Sequence, residues 1–368
     1  MKGSTTAALV LLLRILLFTP PAFSQISSEH AQAIDRLASS YVAENHVPGM
    51  AIAVVDQGQE VFSQGYGLAD VENNVPATAE TVFRVASLSK PISATAAMKL
   101  VEAGKLNLDA PVQKYCPVFP QKAWPLTTRQ VLSHQSGIRD YRDEEETINT
   151  RHYVSIRDAL GQFAGDPLDF EPGTKMHYTS YGYVVLGCVI EGASGMSYAD
   201  YMGQAIFRPA NMPATRLDDV FAMIPHRARG YKISNGKLQN ATFVDVSNKP
   251  PGSGVNSDAR DMGNFVAALY ADTLVSSDTL RGMLTAEKTA DGKPTICGLG
   301  FFVGGPIGTY HGLQEAGHGG DQQGVSSVLY LLPEKRFGVV VLSNLEGQES
   351  SLHFIDLSRK IYDIVSSQ

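Results

Sequence analysis

Three cysteines in 368 residues, Cys116, Cys188 and Cys297, are too few and too widely spaced for a metal cluster or a disulfide framework. One bridge at most can form, so at least one thiol stays free. Cys188 lies inside the apolar run from Tyr183 to Ile190 and reads as core packing. Histidine is sparse as well, and no pair has the spacing of a zinc hydrolase, so neither a metal nor another cofactor is expected. Charged residues make up only 18% of the chain, 30 basic against 37 acidic for a net −7, with no basic run. That balance argues against a nucleic-acid partner. The acidic run from Asp143 to Glu146 reads as a solvated loop or first helical turn. No repeat or low-complexity linker is present, and no later segment is suited to crossing a membrane. The G-x-S-x-G elbow that would expose a serine on an α/β-hydrolase is also missing.

What is present begins with a leader. Residues 1–24 combine Lys2, an apolar stretch from Ala7 to Phe18 broken by Arg14, and small residues before Gln25. This is the pattern of a cleaved signal peptide, too short and interrupted for a stable span, and it implies export to the periplasm or the medium. The remaining chain, 25–368, reads as one domain. Apolar spacing predicts helices over 28–44, 91–103, 155–163, 182–191, 198–207, 259–274 and 351–366. Strands are expected over 50–56 and 60–66, joined by the Gln57-Gly58-Gln59 turn, and over 299–303, 325–332 and 338–342. Strands at both ends with helices between them predict an α/β (α+β) fold. One antiparallel sheet is built from about 25–86 and 291–368, and a mostly helical subdomain, about 87–290, is inserted between.

The chemistry concentrates in three places. Ser87-Leu88-Ser89-Lys90 puts a hydroxyl and an amine three residues apart, hence on one face of a helix. A desolvated lysine with a lowered pKa can take the serine proton at neutral pH. Tyr178, in Met176-His177-Tyr178-Thr179-Ser180-Tyr181, precedes an apolar helix; beside a cationic lysine its phenolate would be favoured. Gly317-His318-Gly319-Gly320-Asp321 precedes a strand, and its glycines would let a substrate carbonyl approach backbone N–H groups. A glycine-flanked histidine also suits a turn, and Ser180 also suits a helix cap. His134 and His177 read as structural.

In order and spread, these elements resemble the serine β-lactamase and penicillin-binding protein superfamily, whose signature is S-x-x-K, then Y-x-N or S-x-N, then K-T-G or H-x-G. Val47-Pro48-Gly49-Met50, Gly65-Tyr66-Gly67-Leu68-Ala69-Asp70 and Leu132-Ser133-His134-Gln135-Ser136-Gly137 add to the likeness. Ala69-Asp70-Val71-Glu72-Asn73-Asn74-Val75-Pro76 and the stretch from Ser133 to Tyr141 bring it closest to class C-type hydrolases, in particular the LACTB-like serine proteases and their bacterial relatives. The resemblance covers about residues 30–365. It implies the β-lactamase/transpeptidase-like fold and a serine hydrolase acting through an acyl-enzyme on Ser87. Lys90 would be the base and Tyr178 the second shuttle. The N–H groups of Ser87 and Asp321 would form the oxyanion hole, and Ser180, His318, Gly319, Gly320 and Asp321 would contact substrate. His318 would hold a substrate carboxylate, with charge only in mild acid, or tune Tyr178. Ser180 stands where the β-lactamases carry Asn, and His318 where they carry Lys. Both departures weaken the case for a β-lactamase and fit a peptidase or esterase better, with a peptidase the main expectation. A carboxylesterase, a weak β-lactamase and an inactive peptide- or cell-wall-binding descendant are the alternatives. The substrate is expected to be a small molecule or peptide bearing an amide or ester. The oligomeric state is left open.

Overall fold

Met50-Ala51-Ile52-Ala53-Val54-Val55 is apolar at every position, too continuous for a strand with one wet face. In the computed structural model, which describes residues 26–367, this stretch lies in β1 (Gly49–Asp56), buried on both sides. The leader expected over 1–24 falls outside the described residues. Gln57 and Gly58, both at positive φ (51° and 81°), turn the chain into β2 (Gln59–Asp70). Two consecutive positive φ values match the twist of an antiparallel hairpin. With β3 (Val75–Pro76), β4 (Ala316–Gln322), β5 (Val325–Leu332) and β6 (Phe337–Ser343), these strands form a six-stranded antiparallel sheet in the order β4-β5-β6-β1-β2-β3. The two ends of the chain meet where β1 pairs with β6, Met50 opposite Ser343 and Val54 opposite Val339.

The period-two pleat of the strands divides the core. Ala51, Ala53, Val55, Leu329, Leu331, Val340 and Leu342 face the inserted helices. Met50, Ile52, Val54, Val328, Tyr330, Val339 and Val341 face the terminal helices α1 (Ser28–Glu44) and α5 (Gln348–Ser366), which contribute Ile34, Ala38, Phe354 and Ile361. Between them the insert carries α2 (Ser89–Glu102), α3 (Ser180–Ser194) and α4 (Ala259–Tyr270). The mixed fold inferred from the sequence, a sheet from both chain ends with helices inserted, is the one observed.

Local boundaries differ in informative ways. Residues 299–303 are not a strand. Leu299 N–H goes to the Met283 carbonyl and Gly300 N–H to the Leu132 carbonyl, so the last residues of two short helices take the bonds a ladder would need. Conversely, the glycine-rich motif precedes the strand β5, as expected, and is also itself the edge strand β4, paired with β5 from Ala316↔Leu331 to Gln322↔Val325. The helix expected over 198–207 is α-helical only through Met202 and continues as a π turn to Phe207. Cys188 is more than core packing: it forms a disulfide with Cys116, and Cys297 is the free, buried thiol.

Candidate active site

Ser87 is presented by a strained turn. Ala86 takes a left-handed φ of 47° at the start of the 3-10 turn Ala86–Leu88, which runs directly into α2. A non-glycine residue persists there only when its surroundings over-determine it. Here Ser89 Oγ donates to the Ala86 carbonyl at 2.8 Å, and Ser327 Oγ donates to the Val85 carbonyl at 2.9 Å. Gly320 of β4 presses on the same turn. A Cβ at that position would lie 2.7 Å from the Val85 oxygen and 3.1 Å from Ser87 N. Only glycine lets the edge strand and the serine turn come this close.

α2 is buried from Ser89 through Met98, so it holds Lys90 away from water. Lys90 Nζ lies 3.1 Å from Ser87 Oγ, 3.4 Å from Ser180 Oγ and 2.9 Å from the Gly252 carbonyl. Burial pushes its ammonium from 10.5 down to about 7, with Asp140 opposing the shift and Lys249 adding to it. Tyr178 O–H donates to Ser87 Oγ at 2.9 Å. The phenolate expected for Tyr178 is overturned, because burial holds the phenol well above its ordinary range and outweighs the bond to Ser87. A lysine that is itself partly neutral supplies no fixed cation to offset that desolvation. Ser87 Oγ therefore accepts from both the Tyr178 O–H and Lys90 Nζ, and once Lys90 has lost a proton its lone pair is placed to take the Ser87 proton.

Ser180, the first residue of α3, faces Lys90 because Thr179 takes the capping role, accepting the Gly182 N–H at 3.1 Å. Ser180 N–H donates to Asp140 Oδ1 at 3.0 Å. His318 is 2% exposed, and burial, with Lys90 nearby, pushes its imidazole down to about 3. The expected switch in mild acid is thereby contradicted: His318 is neutral at physiological pH. Its Nδ1 donates to the Gly319 carbonyl at 2.5 Å, because a carbonyl can only accept. Between pH 6 and 8, wild type and His318→Gln should give pH–rate profiles with the same inflection. If that inflection disappears in the variant, the titrating charge belongs to His318 after all. His134, whose Nδ1 accepts the Thr179 N–H at 3.2 Å, is also held neutral, well below its usual value, by burial.

The backbone of β4 completes the site. Gly317 gives both its N–H and its carbonyl to Phe302, at 3.0 and 2.8 Å, so both point away from β5. Two-residue periodicity then turns the N–H groups of Gly319 and Asp321 toward the same open edge. The Asp321 side chain faces elsewhere, accepting from Ser326 Oγ at 3.0 Å and Gly347 N–H at 3.2 Å. The cleft above Ser87 has a volume of about 400 Å³ and is lined by Tyr178, His318 and the rest of β4 through Asp321, with Phe302, which packs on His318, and Pro306, Ile307, Leu352 and Ile355. Among the described residues no lysine or arginine lines it. The three sequence elements thus converge. Asp140, Lys249 and the Gly252 carbonyl were not singled out beforehand. Their one local signal was the turn-forming Pro250-Pro251-Gly252.

A serine, a desolvated lysine and a tyrosine thus meet between an antiparallel sheet and a helical insert, in the order of the three sequence elements. Residues 34–358 match the Beta-lactamase family model, and the chain belongs to that family. It is 33% identical over 291 residues to the mitochondrial serine beta-lactamase-like protein LACTB of Homo sapiens, covering 60% of this chain and 53% of that protein. The chain therefore spans little more than half the length of that relative. Among solved structures, it superposes with a TM-score of 0.73 on an octameric penicillin-binding protein homologue from Pyrococcus abyssi (26% identity, 89% of this chain and 76% of the other). The D-amino acid amidase from Ochrobactrum anthropi SV3, complexed with L-phenylalanine amide, gives a TM-score of 0.75 (25% identity, 92% of this chain and 97% of the other).

Proposed function

We propose that the protein hydrolyses small, uncharged amides or esters through an acyl-enzyme on Ser87. The observation that carries this reading is the apolar, cation-free cleft above Ser87, with a neutral His318 where the family's signature can place a lysine. A substrate carboxylate would lose its hydration there and gain no opposite charge. An aromatic or aliphatic group would instead bury against Phe302, Ile307 and Leu352. The reading departs from the peptidase expected at first and accords with the amidase likeness, whose phenylalanine amide ligand has an aromatic side chain and lacks a carboxylate.

In this scheme Ser87 Oγ bonds to the substrate carbonyl carbon as its proton passes to Lys90 Nζ. The oxyanion is held by the N–H groups of Ser87 and Asp321. Tyr178, kept protonated by burial, gives its proton to the leaving nitrogen or oxygen as the bond to carbon breaks. Lys90 returns its proton to the Tyr178 oxygen. Water then attacks the acyl carbonyl, and Ser87 departs with a proton. The Cys116–Cys188 disulfide supports an oxidising compartment, in keeping with the exported protein read from residues 1–24.

Matched substrates test the reading. p-Nitrophenyl butyrate should exceed its carboxylate-bearing glutarate counterpart by at least about tenfold in kcat/KM, a difference of about 1.4 kcal/mol in transition-state binding. Phenylalanine amide should likewise exceed a phenylalanyl dipeptide with a free C-terminus. Equal or faster turnover of the carboxylated partners would overturn the proposal.

A further inference from the structure

Ser87, Lys90 and Tyr178 do not account for every buried polar group near the site. Behind Lys90 lies a second buried lysine, Lys249, only 3% exposed, while Lys90 itself has no exposed surface. The two are tied to one turn. Gly252 N–H and Ser253 N–H both donate to the Lys249 carbonyl, at 3.1 and 2.9 Å, and the Gly252 carbonyl is the acceptor for Lys90 Nζ at 2.9 Å. Lys249 Nζ lies 4.7 Å from the centre of the Tyr141 ring. Tyr141 adjoins Asp140, whose carboxylate takes the Ser180 N–H, and Ser180 Oγ is 3.4 Å from Lys90 Nζ. Asp140 makes a direct ion pair with neither lysine, but its charge acts on both amines, raising each.

Two buried ammonium ions beside a single carboxylate leave one charge unbalanced, which low-dielectric surroundings penalise heavily. The geometry decides which amine stays charged. Lys249 lies over an aromatic face, a setting that favours a cation. Lys90 has two acceptors, Ser180 Oγ and the Gly252 carbonyl, for the two N–H bonds of a neutral amine. Its third neighbour, Ser87 Oγ at 3.1 Å, accepts the third N–H of the ammonium form and carries a hydroxyl proton that can replace it once the amine is neutral. The other groups facing Lys90 are Tyr178, Tyr183, His134 and His318, and none of these is a cation at neutral pH. Arg84 also faces Lys249, but its guanidinium is already bonded to Asp218 and the Val244 carbonyl.

We propose that Lys249 is a positioning residue: its charge, held over Tyr141 and balanced by Asp140, keeps Lys90 in the uncharged form that accepts the Ser87 proton. This rests on the reading of Lys90 as the base for Ser87. Burial and repulsion act together in it, since the Lys249 charge lowers the Lys90 amine while Asp140 raises it.

The test is the second-order rate of Ser87 labelling by a fluorophosphonate, followed by intact mass from pH 5 to 9. It needs no knowledge of the substrate. Wild type should label along a curve that rises through about pH 7. Lys249→Met removes the repulsion and leaves Asp140 to Lys90, so the rise should move up by about one pH unit. Lys249→Arg keeps the charge and should restore the wild-type midpoint, whereas Asp140→Asn should move the midpoint down. If the midpoint of Lys249→Met stays at the wild-type value, the role of Lys249 is overturned, whatever happens to the plateau rate or to Asp140→Asn. Should Lys249→Met fail to fold, Lys249→Gln, which also removes the charge, decides by the same midpoint. A wild type that labels at no pH would sink the Ser87–Lys90 reading itself, a result distinct from an unmoved midpoint.

Discussion

Lys90→Met should lower the rate of Ser87 acylation by about 10²–10⁴-fold, the usual contribution of a positioned general base, and should also remove a rise in stability that the wild type shows between about pH 7 and 10.5. The two effects have one cause. Folding drags the Lys90 ammonium from 10.5 down to about 7. From about pH 7 to 10.5 the unfolded chain therefore binds a proton that the folded chain does not, and stability rises with pH across that window. Near neutral pH the lysine opposes folding by about 4 kcal/mol, taking about 1.4 kcal/mol per pKa unit. Methionine has nearly the same length and carries no charge to desolvate. Against that gain, the Gly252 carbonyl and Ser180 Oγ each lose a donor, at about 1–3 kcal/mol for a stranded buried group. The two losses together, about 2–6 kcal/mol, are the size of the gain, so the expected result is a trend: the unfolding midpoint of Lys90→Met relative to wild type should be highest at pH 7 and fall by several degrees toward pH 10. A variant that is inactive and keeps the same distance from wild type at every pH would show that Lys90 is carried in the folded protein as a paired cation. Ser87→Ala, which removes the nucleophile but leaves the lysine buried, should abolish labelling and keep the wild-type pH trend.

Much of this arrangement was legible in the sequence because its parts are local. The three-residue step from Ser87 to Lys90 follows from helical periodicity, and β1 announced itself by an unbroken apolar run. The hidden features depend on partners distant in sequence. β4 has almost no strand-forming side chains and is a strand because β5 pairs with it. Lys249 and Asp140 reach the site from segments more than 100 residues apart, each beside residues that looked like loop. The protonation states of Tyr178 and His318 could not be read from residue type, because burial sets them. Tyr178 was read as an anion and His318 as a titrating cation, and desolvation reverses both.

The same long-range closure makes the Cys116–Cys188 disulfide the site of a second large effect. The bridge closes a loop across 72 residues, which in the chain-entropy picture corresponds to about 4 kcal/mol of stability. Cys116→Ala/Cys188→Ala should therefore lower the unfolding midpoint by roughly 8 °C, and a strong reductant should lower the wild type by a similar amount while leaving the variant unmoved. Activity at 25 °C should survive, because Ser180 and its bond to Asp140 lie two turns away at the other end of α3. The competing outcome has a structural source. One turn beyond Cys188, α3 crosses the Tyr115 backbone so closely that a Cβ on Gly192 would fall 1.7 Å from the Tyr115 oxygen. If packing at Gly192 alone fixes this crossing, the cysteine pair will prove nearly silent. Gly192→Ala will then be the more damaging change, because it forces helix and loop apart while the bridge is intact. A large loss in the cysteine variant together with a large loss in Gly192→Ala would instead assign the crossing to both: the disulfide limits the unfolded chain, and the glycine sets the distance in the folded one.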